Sequence, residues 1–473
     1  MLKILMVASE ATPFAKTGGL ADVVGALSPA LRARGEEVAI LMPRYRHISV
    51  QGLPVVYQDL RVWLGRTSYT ANVYSATERE VSYYLADCPP LYDRDGLYGD
   101  PAGPDYEDNH IRFAILSRIA LTLVRDVFRP DVVHCHDWQA ALTPISKRTL
   151  FAGDPTFMGL PVVLTIHNLG YQGLFPQSAL ADIGLDGNLF TPECLEYYGK
   201  INLLKGGILF ADAITTVSPT YAREIQMPEL GFGLEGVLSV RSDALHGILN
   251  GADYGEWDPA TDPHIAAHYS AQDLAGKRAA KADLPAAFGL PTGNLDRPLI
   301  GMVSRLAGQK GFDLLAQAAG DLMQEDLSLV VLGIGDPQYE RLLQDLAAAH
   351  PDKVGVRIAY DEPLAHKIQA GADIFLMPSL YEPCGLSQIY SLHYGTVPVV
   401  RATGGLNDTI DESTGFKFRE YTGPALMKAV RAALAAFRNK QRWAVIMRAG
   451  MRKDYSWSAS AARYSELYRR LVG

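Results

Sequence analysis

Residues 2–42 have the sequence LKILMVASEATPFAKTGGLADVVGALSPALRARGEEVAILM, and their pattern indicates the class of fold. It opens with the apolar run 2–8, passes a turn with two adjacent glycines, continues through a helix-like segment at 25–34 and returns to an apolar run at 38–42. Short apolar runs bounded by turn residues predict buried strands. A strand, a helix and a second strand in this order predict the first unit of a parallel sheet.

The same alternation continues along the chain and then restarts after Asn250. Further strands are predicted at 131–134, 161–166, 213–217, 299–304, 327–332, 354–359, 374–377 and 397–401, and helices at 109–127, 312–323 and 339–350. Strands without polar alternation fit a parallel sheet that is covered on both faces. Two such series predict an α/β protein with two doubly wound, Rossmann-like domains that face a deep cleft.

Turn-rich sequence marks the boundary between the two series. The stretch NGADYGEWDPATDP begins at Asn250 and contains the Gly, Asp and Pro residues that favour turns. We therefore place the first domain at 1–245 and the second at 246–455. The last stretch, 456–473, is predicted to be a helix that packs back on the first domain.

Composition excludes several classes of protein. The 473 residues include 44 Lys+Arg against 52 Asp+Glu, and hydrophobic residues make up 48%. This is ample material for packed cores, and a net charge of −8 argues against nucleic-acid binding. The four cysteines form no CxxC pair, which is typical of a reducing compartment. Because no run of about 18 uncharged apolar residues occurs, we expect a cytoplasmic protein without a membrane partner.

A loop with Lys16, Gly18 and Gly19 follows the first predicted strand. Adjacent glycines between a strand and a helix let the backbone approach a ligand closely, and the first N–H groups of a helix favour an anion. Lys16 adds a mobile positive charge. The pattern fits a phosphate-binding turn, and it also fits an ordinary βα turn with a surface lysine.

Two basic residues and a second glycine pair follow strands of the second series. Arg305 and Lys310 come at the carboxyl end of a strand, where parallel sheets bind ligands. They can hold a diphosphate through charge-assisted hydrogen bonds, or they can belong to a solvated basic loop. Gly404 and Gly405 also lie between a strand and a helix, which makes them a second candidate phosphate nest.

One carboxylate, Glu382, lies in the loop PSLYEPCGLS that follows the predicted strand 374–377. A carboxylate at the ligand edge of a sheet can accept hydrogen bonds from sugar hydroxyls. The alternative is an acidic residue that complements the positive N-terminus of the following helix.

Two strand ends of the first series carry histidines. His167 and Asn168 can hydrogen-bond the hydroxyls of a substrate or its reacting centre. Asp137 and Trp138 combine a polar acceptor with an aromatic stacking face. Two strand ends of this kind favour a binding site over structural histidines alone.

Two patterns resemble parts of metal sites. The sequence HCHD at 134–137 has ligand-type residues but no evident third ligand. Asp93 and Asp95 form an Asp-x-Asp pair of the kind that holds Mg²⁺, but they lie in the turn-rich sequence LYDRDGLYGD and not at a strand end. We interpret this second pattern as a loop.

Taken together, these segments resemble the glycogen and starch synthases, retaining glucosyltransferases with the two-domain GT-B fold. The matching blocks, in family order, are KTGGLADV (16–23), HCHDWQAAL (134–142), TIHNLGYQGLF (165–175), TTVSPTYAREI (215–225), GLEGVL (233–238), LNGADYGEWDP (249–259), VSRLAGQKGFDLL (303–315), YEPCGLSQIY (381–390) and TGGLNDTI (403–410). They span most of the chain, which makes chance a poor explanation.

The resemblance implies transfer of glucose from ADP-glucose to the non-reducing end of an α-1,4-glucan, with retention of configuration and without a metal or other cofactor. Lys16 falls on the donor-binding lysine of the family, and Arg305 and Lys310 fall on its diphosphate clamp. Glu382 falls on the glutamate that contacts the transferred glucose, and His167 on the histidine near the anomeric centre.

Other matching positions line the substrate site in the family: Gly18, Gly19, Asp137, Asn168, Asn250, Cys384, Gly385, Leu386, Gly404 and Gly405. Tyr360 corresponds to the aromatic residue beside the adenine, and Trp138 and Tyr98 would face the acceptor glucan. The sequence departs from many retaining GT-B enzymes at Tyr390, where they place a second glutamate that holds the donor ribose.

The mechanism and its alternatives follow from the same residues. Lys16, Arg305 and Lys310 would stabilise a leaving diphosphate. Because no protein nucleophile is evident, we expect front-face attack, with the leaving phosphate accepting the proton of the acceptor. A UDP-glucose donor, a small acceptor and a glucan-binding protein without catalysis are the alternatives. A binding protein has no need of a diphosphate clamp, which argues against the last one.

Overall fold

A computed structural model of the chain describes residues 1–100 and 103–473, and the chain divides into two compact units. The first unit consists of Met1–Val217, Ala222–Gly251 and Trp457–Gly473, and the second of Ser218–Tyr221 and Ala252–Ser456. The boundaries that the sequence predicts lie after residues 245 and 455. Thr220 belongs with the second unit because its backbone N–H and hydroxyl donate to the carboxylate of Asp408, at 2.7 and 2.6 Å.

The strands of the described residues are β1 (Lys3–Val7), β2 (Glu37–Pro43), β3 (Val55–Leu64), β4 (Thr67–Glu78), β5 (Val81–Asp87), β6 (Val132–His136), β7 (Val162–Ile166), β8 (Leu174–Pro176), β9 (Glu196–Tyr197), β10 (Lys200–Asn202), β11 (Ala213–Thr216), β12 (Leu245–Gly247), β13 (Leu299–Val303), β14 (Ser328–Gly333), β15 (Val354–Ile358), β16 (Ile374–Met377), β17 (Val397–Arg401) and β18 (Phe416–Phe418).

The α-helices of the described residues are α1 (Gly19–Ala33), α2 (Pro89–Tyr92), α3 (Asn109–Asp126), α4 (Asp137–Ala140), α5 (Leu142–Thr149), α6 (Ala179–Asp182), α7 (Leu203–Phe210), α8 (Pro219–Glu224), α9 (Glu235–Val240), α10 (Ala275–Ala287), α11 (Phe312–Gln324), α12 (Pro337–Ala349), α13 (Glu362–Gly371), α14 (Ser387–His393), α15 (Gly404–Thr409), α16 (Gly423–Arg438), α17 (Lys440–Met451) and α18 (Trp457–Val472). Short 3₁₀ turns occur at Pro155–Phe157, Gly187–Leu189, Ser242–Ala244 and Gly308–Lys310.

The first unit is built on a sheet with the strand order β12-β11-β7-β6-β1-β2-β5-β4-β3. Neighbouring strands are parallel from β12 to β5, while β3 and β4 add an antiparallel hairpin at one edge. A small antiparallel sheet, β8-β10-β9, lies apart from it. Because β1 pairs with β2 on one side and β6 on the other, the strand order reverses at β1. Such a reversal opens a crevice at the carboxyl edge of a sheet.

Apolar helix faces cover this sheet. Val23, Val24, Leu27 and Leu31 of α1 follow helical spacing and are at most 2% exposed. The C-terminal helix α18 belongs to the same core, and its buried residues are Trp457, Ser460, Ala461, Tyr464, Ser465, Leu467 and Tyr468. Since these side chains pack with the N-terminal strands, the two ends of the chain form one hydrophobic core.

The second unit has a parallel sheet with the strand order β15-β14-β13-β16-β17-β18. β13, its first strand in the chain, lies between β14 and β16, so the order reverses there as well. Helices α11, α16 and α17 cover one face with residues such as Phe312, Leu426 and Trp443. The other face packs on a second cluster, which includes Leu284, Ile368 and Leu392.

The predicted strands are confirmed, with ends that differ by at most two residues. Helix α1 begins at Gly19, six residues before the predicted start, because Gly18 caps the helix and Gly19 is its first residue. The antiparallel hairpin of β3 and β4 was not predicted, since its residues alternate between exposed and buried along much of its length. None of the described helices has the length and apolar character needed to cross a membrane.

Candidate functional site

The predicted site residues follow the carboxyl ends of strands in both units. In the first unit the Lys16 loop follows β1, Asp137 follows β6 and His167 follows β7. In the second unit Arg305 follows β13 and Glu382 follows β16. The carboxyl edge of a doubly wound sheet is where ligands bind, so each unit presents its polar residues at its own binding edge.

The core of the second-unit site is an ion pair between Lys310 and Glu382. Lys310 Nζ donates to Glu382 Oε2 at 2.6 Å, although the two residues are 72 positions apart. Glu382 is 6% exposed, and the hydroxyl of Ser379 also donates to its Oε2, at 3.2 Å. The structure therefore brings together two residues that were predicted from separate motifs, and it holds the carboxylate in one orientation.

The glycine pair after β17 packs directly against the Glu382 loop. A Cβ atom on Gly404 would lie 1.9 Å from the carbonyl oxygen of Glu382, and one on Gly405 would lie 2.0 Å from that of Cys384. Gly404 also has a φ of +43°, in the region that favours glycine. The Gly405 N–H donates to the carbonyls of Glu382 and Pro383. Its amide is thus committed to the loop, which differs from the predicted phosphate nest.

The residues after Glu382 shape the turn into α14. Cys384 is 5% exposed, and its carbonyl accepts a hydrogen bond from Gln388 Nε2 at 3.1 Å. Gly385 has a φ of +71°, and Leu386 immediately precedes the helix. These contacts fix the backbone of the loop that carries Glu382.

Arg305 and Tyr360 are the exposed members of the second-unit set. Tyr360, after β15, is 82% exposed. Arg305 is exposed, and its guanidinium has no hydrogen-bond or ion-pair partner among the described residues. An exposed cation after β13 and an open aromatic ring after β15 are suited to an anionic ligand with a flat base. Tyr390, where the family pattern would place a second glutamate, instead stacks on Trp257 with ring centroids 4.5 Å apart.

The Lys16 loop of the first unit leads into α1. Gly18 caps the helix in an extended conformation, and the space around Gly18 and Gly19 is open. Lys16 Nζ lies 2.8 Å from Asp22 Oδ1. The cation is therefore held beside the first turn of the helix.

Glu10 supports this loop and was not predicted from the sequence. It is 3% exposed, and its Oε2 accepts hydrogen bonds from the backbone N–H and the hydroxyl of Thr17, at 2.5 and 2.9 Å. Burial raises the pKa of Glu10, against the opposing effect of these bonds. The available signal was an acidic residue placed directly after a buried apolar strand.

Asp137 has the most unusual conformation in the first-unit site. Its φ is +54°, which is uncommon for a residue other than glycine, and it is 9% exposed. Its Oδ1 accepts a hydrogen bond from the backbone N–H of His167 at 2.7 Å. Burial raises its pKa to about 7, more than the backbone hydrogen bonds from His167 and Asn168 lower it. Backbone strain and a perturbed carboxyl are both features of functional sites.

Three neighbouring histidines lie close to Asp137, of which His134 and His136 are fully buried and His167 is half-buried. His136 Nδ1 lies 3.0 Å from His167 Nε2, and the rings of His134 and His136 are 4.2 Å apart. Burial lowers the pKa of His134 and of His167 to about 3, and that of His136 well below its usual value. All three are therefore neutral near pH 7.

Two asparagines lie at the same edge of the first sheet. Asn250, shortly after β12, is 7% exposed, and its Oδ1 is buried without a hydrogen-bond partner among the described residues. A buried unsatisfied oxygen is costly, which marks it as a candidate ligand contact. The side chain of Asn168 accepts a hydrogen bond from the backbone N–H of Gly170 at 3.0 Å, so it forms a local turn.

Trp138 and Tyr98, which are predicted to face the acceptor glucan, are less exposed than side chains that stack on a ligand. The ring of Trp138 is 7% exposed and packs edge-on to Phe113 at 5.1 Å. It also lies so close to Gly173 that a Cβ there would be 2.5 Å from the ring. Tyr98 is half-buried, and its hydroxyl lies 2.7 Å from Ser9 Oγ. Both side chains support the packing of the first-unit site, and their contact with an acceptor stays a prediction.

Neither pattern that resembled a metal site gathers its ligands around one point. The two ring nitrogens of His134 lie at hydrogen-bond distance from Thr165 and Tyr468. Asp93 and Asp95 both pair with Arg46. One group in the described residues, formed by Glu256, Glu362 and His366, has three potential ligand atoms within 4.8 Å of one another.

Comparisons with known proteins identify the family of the chain. Residues 3–240 match the family model of the starch synthase catalytic domain, and residues 291–445 match that of the glycosyl transferases group 1. A glycogen synthase of Koribacter versatilis (strain Ellin345) is 50% identical over 99% of this chain and 98% of its own length.

Solved structures extend the comparison to the fold. The catalytic domain of starch synthase IV from Arabidopsis thaliana, bound to ADP and acarbose, is 33% identical, covers 100% of this chain and 99% of its own, and has a TM-score of 0.88. Sucrose-phosphate synthase from Thermosynechococcus elongatus, 18% identical over 100% of this chain and 99% of its own, shares the fold with a TM-score of 0.62. The chain therefore belongs to the starch and glycogen synthase family of glycosyltransferases, which have the GT-B fold.

Proposed function

We propose that this enzyme elongates glycogen by transferring glucose from ADP-glucose to the non-reducing end of an α-1,4-glucan, with retention of anomeric configuration. The observation that carries the proposal is the group of Arg305, Lys310 and Glu382 at the carboxyl edge of the second sheet. It combines two cations for a diphosphate with one buried carboxylate for sugar hydroxyls.

The second unit supplies the contacts to the donor. Arg305 is exposed and without a partner among the described residues, so its guanidinium is available to a diphosphate. Lys310 is partly exposed and already oriented by Glu382. The open ring of Tyr360 is suited to stacking on adenine. A related starch synthase was solved with ADP bound, which supports an adenine nucleotide.

Bond cleavage at the anomeric carbon leaves negative charge on the diphosphate. Arg305 and Lys310 would stabilise this charge, as a divalent cation does in other nucleotide-sugar enzymes, and we therefore propose a reaction without a metal. Glu382 would orient the glucose through its hydroxyls. The positive charge on the sugar would be stabilised by the backbone carbonyl of His167.

Retention is proposed to proceed by attack on the same face that the diphosphate leaves. The acceptor hydroxyl forms the new C–O bond while the C–O bond to the phosphate breaks, and a phosphate oxygen takes the hydroxyl proton. This route requires no protein nucleophile. It accords with a site in which Glu382 is already paired with Lys310.

The stereochemistry is tested by ¹H NMR of the first product formed from ADP-glucose and a maltooligosaccharide. We expect a new α-linkage from the first turnover. A β-linked first product would overturn retention, and no product from a competent acceptor would overturn the proposed reaction.

We also propose that the enzyme works in the cytoplasm. None of the four cysteines forms a disulfide in the described part of the chain, and Cys88, Cys135 and Cys384 are buried. A chain with buried cysteines outside any disulfide suits a reducing compartment.

A further inference from the structure

His167 and His136 form, together with Met6, a chain of contacts that ends at the candidate site. His167 Nε2 lies 3.0 Å from His136 Nδ1, and His136 Nε2 lies 3.5 Å from the sulfur of Met6. His136 and Met6 are fully buried. Each neutral imidazole carries one proton, on one of its two nitrogens, and its contacts decide which.

Met6 sets the direction of this chain. A thioether sulfur accepts hydrogen bonds and cannot donate them, so the contact with Met6 is favourable only when His136 carries its proton on Nε2. The Nδ1 of His136 then has a lone pair. At 3.0 Å it must accept a hydrogen bond, and His167 Nε2 must donate it.

The second nitrogen of His167 is the one that a ligand can reach. His167 Nδ1 has no hydrogen-bond partner among the described residues, and it is not one of the buried unpartnered atoms of the structure. His167 as a whole is half-buried at the end of β7. If its single proton is on Nε2, then Nδ1 presents a lone pair to the site.

We infer that Met6 and His136 act as positioning residues that fix His167 as its Nε2–H tautomer, so that Nδ1 accepts a hydrogen bond from the substrate. An acceptor at this point selects a hydroxyl donor on the transferred sugar; this consequence rests on the proposed function, whereas the tautomer does not. The opposite tautomer would turn an N–H toward the ligand and leave His136 and His167 with two lone pairs facing each other.

Nitrogen-15 NMR of histidine-labelled enzyme tests the tautomer without reference to activity. Two-bond ¹⁵N–¹H correlations distinguish Nε2–H from Nδ1–H rings, and the His167 signals are assigned by their loss in His167→Asn. We expect the Nε2–H pattern for both His136 and His167 near pH 7. An Nδ1–H pattern for His167 would overturn the inference.

Variants of His136 test the consequence for the reaction. His136→Leu removes the acceptor of His167 Nε2–H and should lower kcat about tenfold, with a mixed tautomer pattern for His167. In His136→Asn the side-chain oxygen takes the place of Nδ1, so this variant should recover much of the loss. Equal kcat in His136→Leu and the wild type would overturn the positioning role.

His134→Leu is a matched control in the same strand. His134 is as buried as His136, but it bonds to Thr165 and Tyr468 and does not contact His167 through a hydrogen bond. We expect a comparable loss of thermal stability, an unchanged His167 pattern and kcat within about twofold of the wild type. If His134→Leu lowers kcat as much as His136→Leu, the effect is general damage to the strand, and the inference fails. If the wild type shows the tautomer but no transferase activity, the proposed function fails alone.

Discussion

Glu382 is a negative charge placed where water hardly reaches it. At 6% exposure, a carboxylate needs compensating contacts, and Lys310 and Ser379 provide them. Because its orientation is already fixed, this carboxylate loses little conformational entropy when it binds a sugar hydroxyl. Such preorganisation is a common feature of efficient active sites. Its removal should therefore affect turnover far more than folding.

Glu382→Gln keeps the size of the side chain and removes the charge. We expect kcat to fall by about a hundredfold or more, with the protein still folded, as measured by glucose transfer and thermal unfolding. Near-wild-type turnover would exclude Glu382 from the site.

Asp373→Asn is the control for this variant. Asp373 pairs with Lys281 at the same distance, 2.6 Å, and lies directly before β16, whereas Glu382 follows that strand. Its replacement should lower stability and leave kcat within a few-fold of the wild type. A large loss of turnover in the control would mean that breaking any buried ion pair of this unit impairs catalysis.

The carboxyl of Asp137 makes stability depend on pH. Because its pKa is about 7 in the folded chain and about 3.8 when unfolded, the folded state binds more protons between these values. Stability contributed by the protonated form is therefore lost as the pH rises from about 4 to 7. Over that pH range, protonation of Asp137 changes the free energy of unfolding by at most about 4 kcal/mol.

Asp137→Asn should remove this dependence. Asn tolerates a positive φ, and its oxygen can still accept the His167 N–H. We expect the variant to gain stability relative to the wild type as the pH is raised from 5 to 8, measured by denaturant unfolding at each pH. Parallel stability curves over this range would contradict the raised pKa.

For single residues, the sequence predicts which residue types lie at the site better than it predicts which residues contact one another. Arg305, Lys310, Glu382 and His167 could be proposed because they follow strand ends in characteristic blocks. The pairing of Lys310 with Glu382 spans 72 positions and depends on β13 lying beside β16, which no local pattern encodes. Glu10 was missed for a similar reason, since its partner Thr17 is defined only by the path of the loop.

At the scale of elements, the loops after β16 and β17 form one packed structure. The backbone at Gly404 touches the carbonyl of Glu382, and Gly405 donates to the same carbonyl at 3.1 Å. The glycine pair that the sequence predicts as a phosphate nest brings two loops close together. The first role was predicted from sequence, and the second became visible only in the structure.

Gly404→Ala tests this packing. Its Cβ would clash with the Glu382 carbonyl at 1.9 Å and would occupy a φ of +43°. We expect a loss of about 2 kcal/mol or more in unfolding free energy and a clear loss of kcat, because the Glu382 loop must move. A stable and fully active variant would contradict the close contact.

Gly320→Ala is the matched substitution in the same unit. Gly320 lies within α11, and nothing is within 4 Å of its would-be Cβ. Alanine there should leave activity unchanged and raise stability by about 0.5–1 kcal/mol, because it favours the helix. If this variant is destabilised, the space around a Cβ atom at a glycine does not predict the effect of an alanine there.

The elements themselves differ in how well the sequence predicts them. Parallel strands such as β13 and β16 are buried on both faces, so continuous apolar runs reveal them. The β3–β4 hairpin exposes one face, and residues such as Trp63, at 56% exposure, break the apolar run. An alternating pattern is a weaker sequence signal than a continuous apolar run, so the hairpin was not predicted.

At the scale of the whole molecule, the end of the chain completes the first unit. Tyr468 of α18 is fully buried, and its hydroxyl lies 2.7 Å from His134 Nδ1. Ser465 and Arg469 both contact the buried carboxylate of Glu36. A helix more than 400 residues from β1 is therefore part of the same core.

Tyr468→Ala should destabilise the first unit selectively. Truncation of a buried aromatic side chain costs about 3–5 kcal/mol. By hydrogen exchange, amides of β6 should lose protection, while those of β13 keep theirs. Arg463→Ala, in the same helix with 76% of its side chain exposed, should change neither. Equal loss of protection in β6 and β13 would contradict two separate cores.

The most direct test of the proposed activity is incorporation of labelled glucose into glycogen, with ADP-glucose and UDP-glucose compared side by side and EDTA present throughout. We predict strong incorporation from ADP-glucose, little from UDP-glucose and no effect of EDTA. A preference for UDP-glucose would contradict the proposed donor, and loss of activity in EDTA would contradict the metal-free clamp of Arg305 and Lys310. No incorporation from either donor would contradict the central claim that this enzyme elongates glycogen.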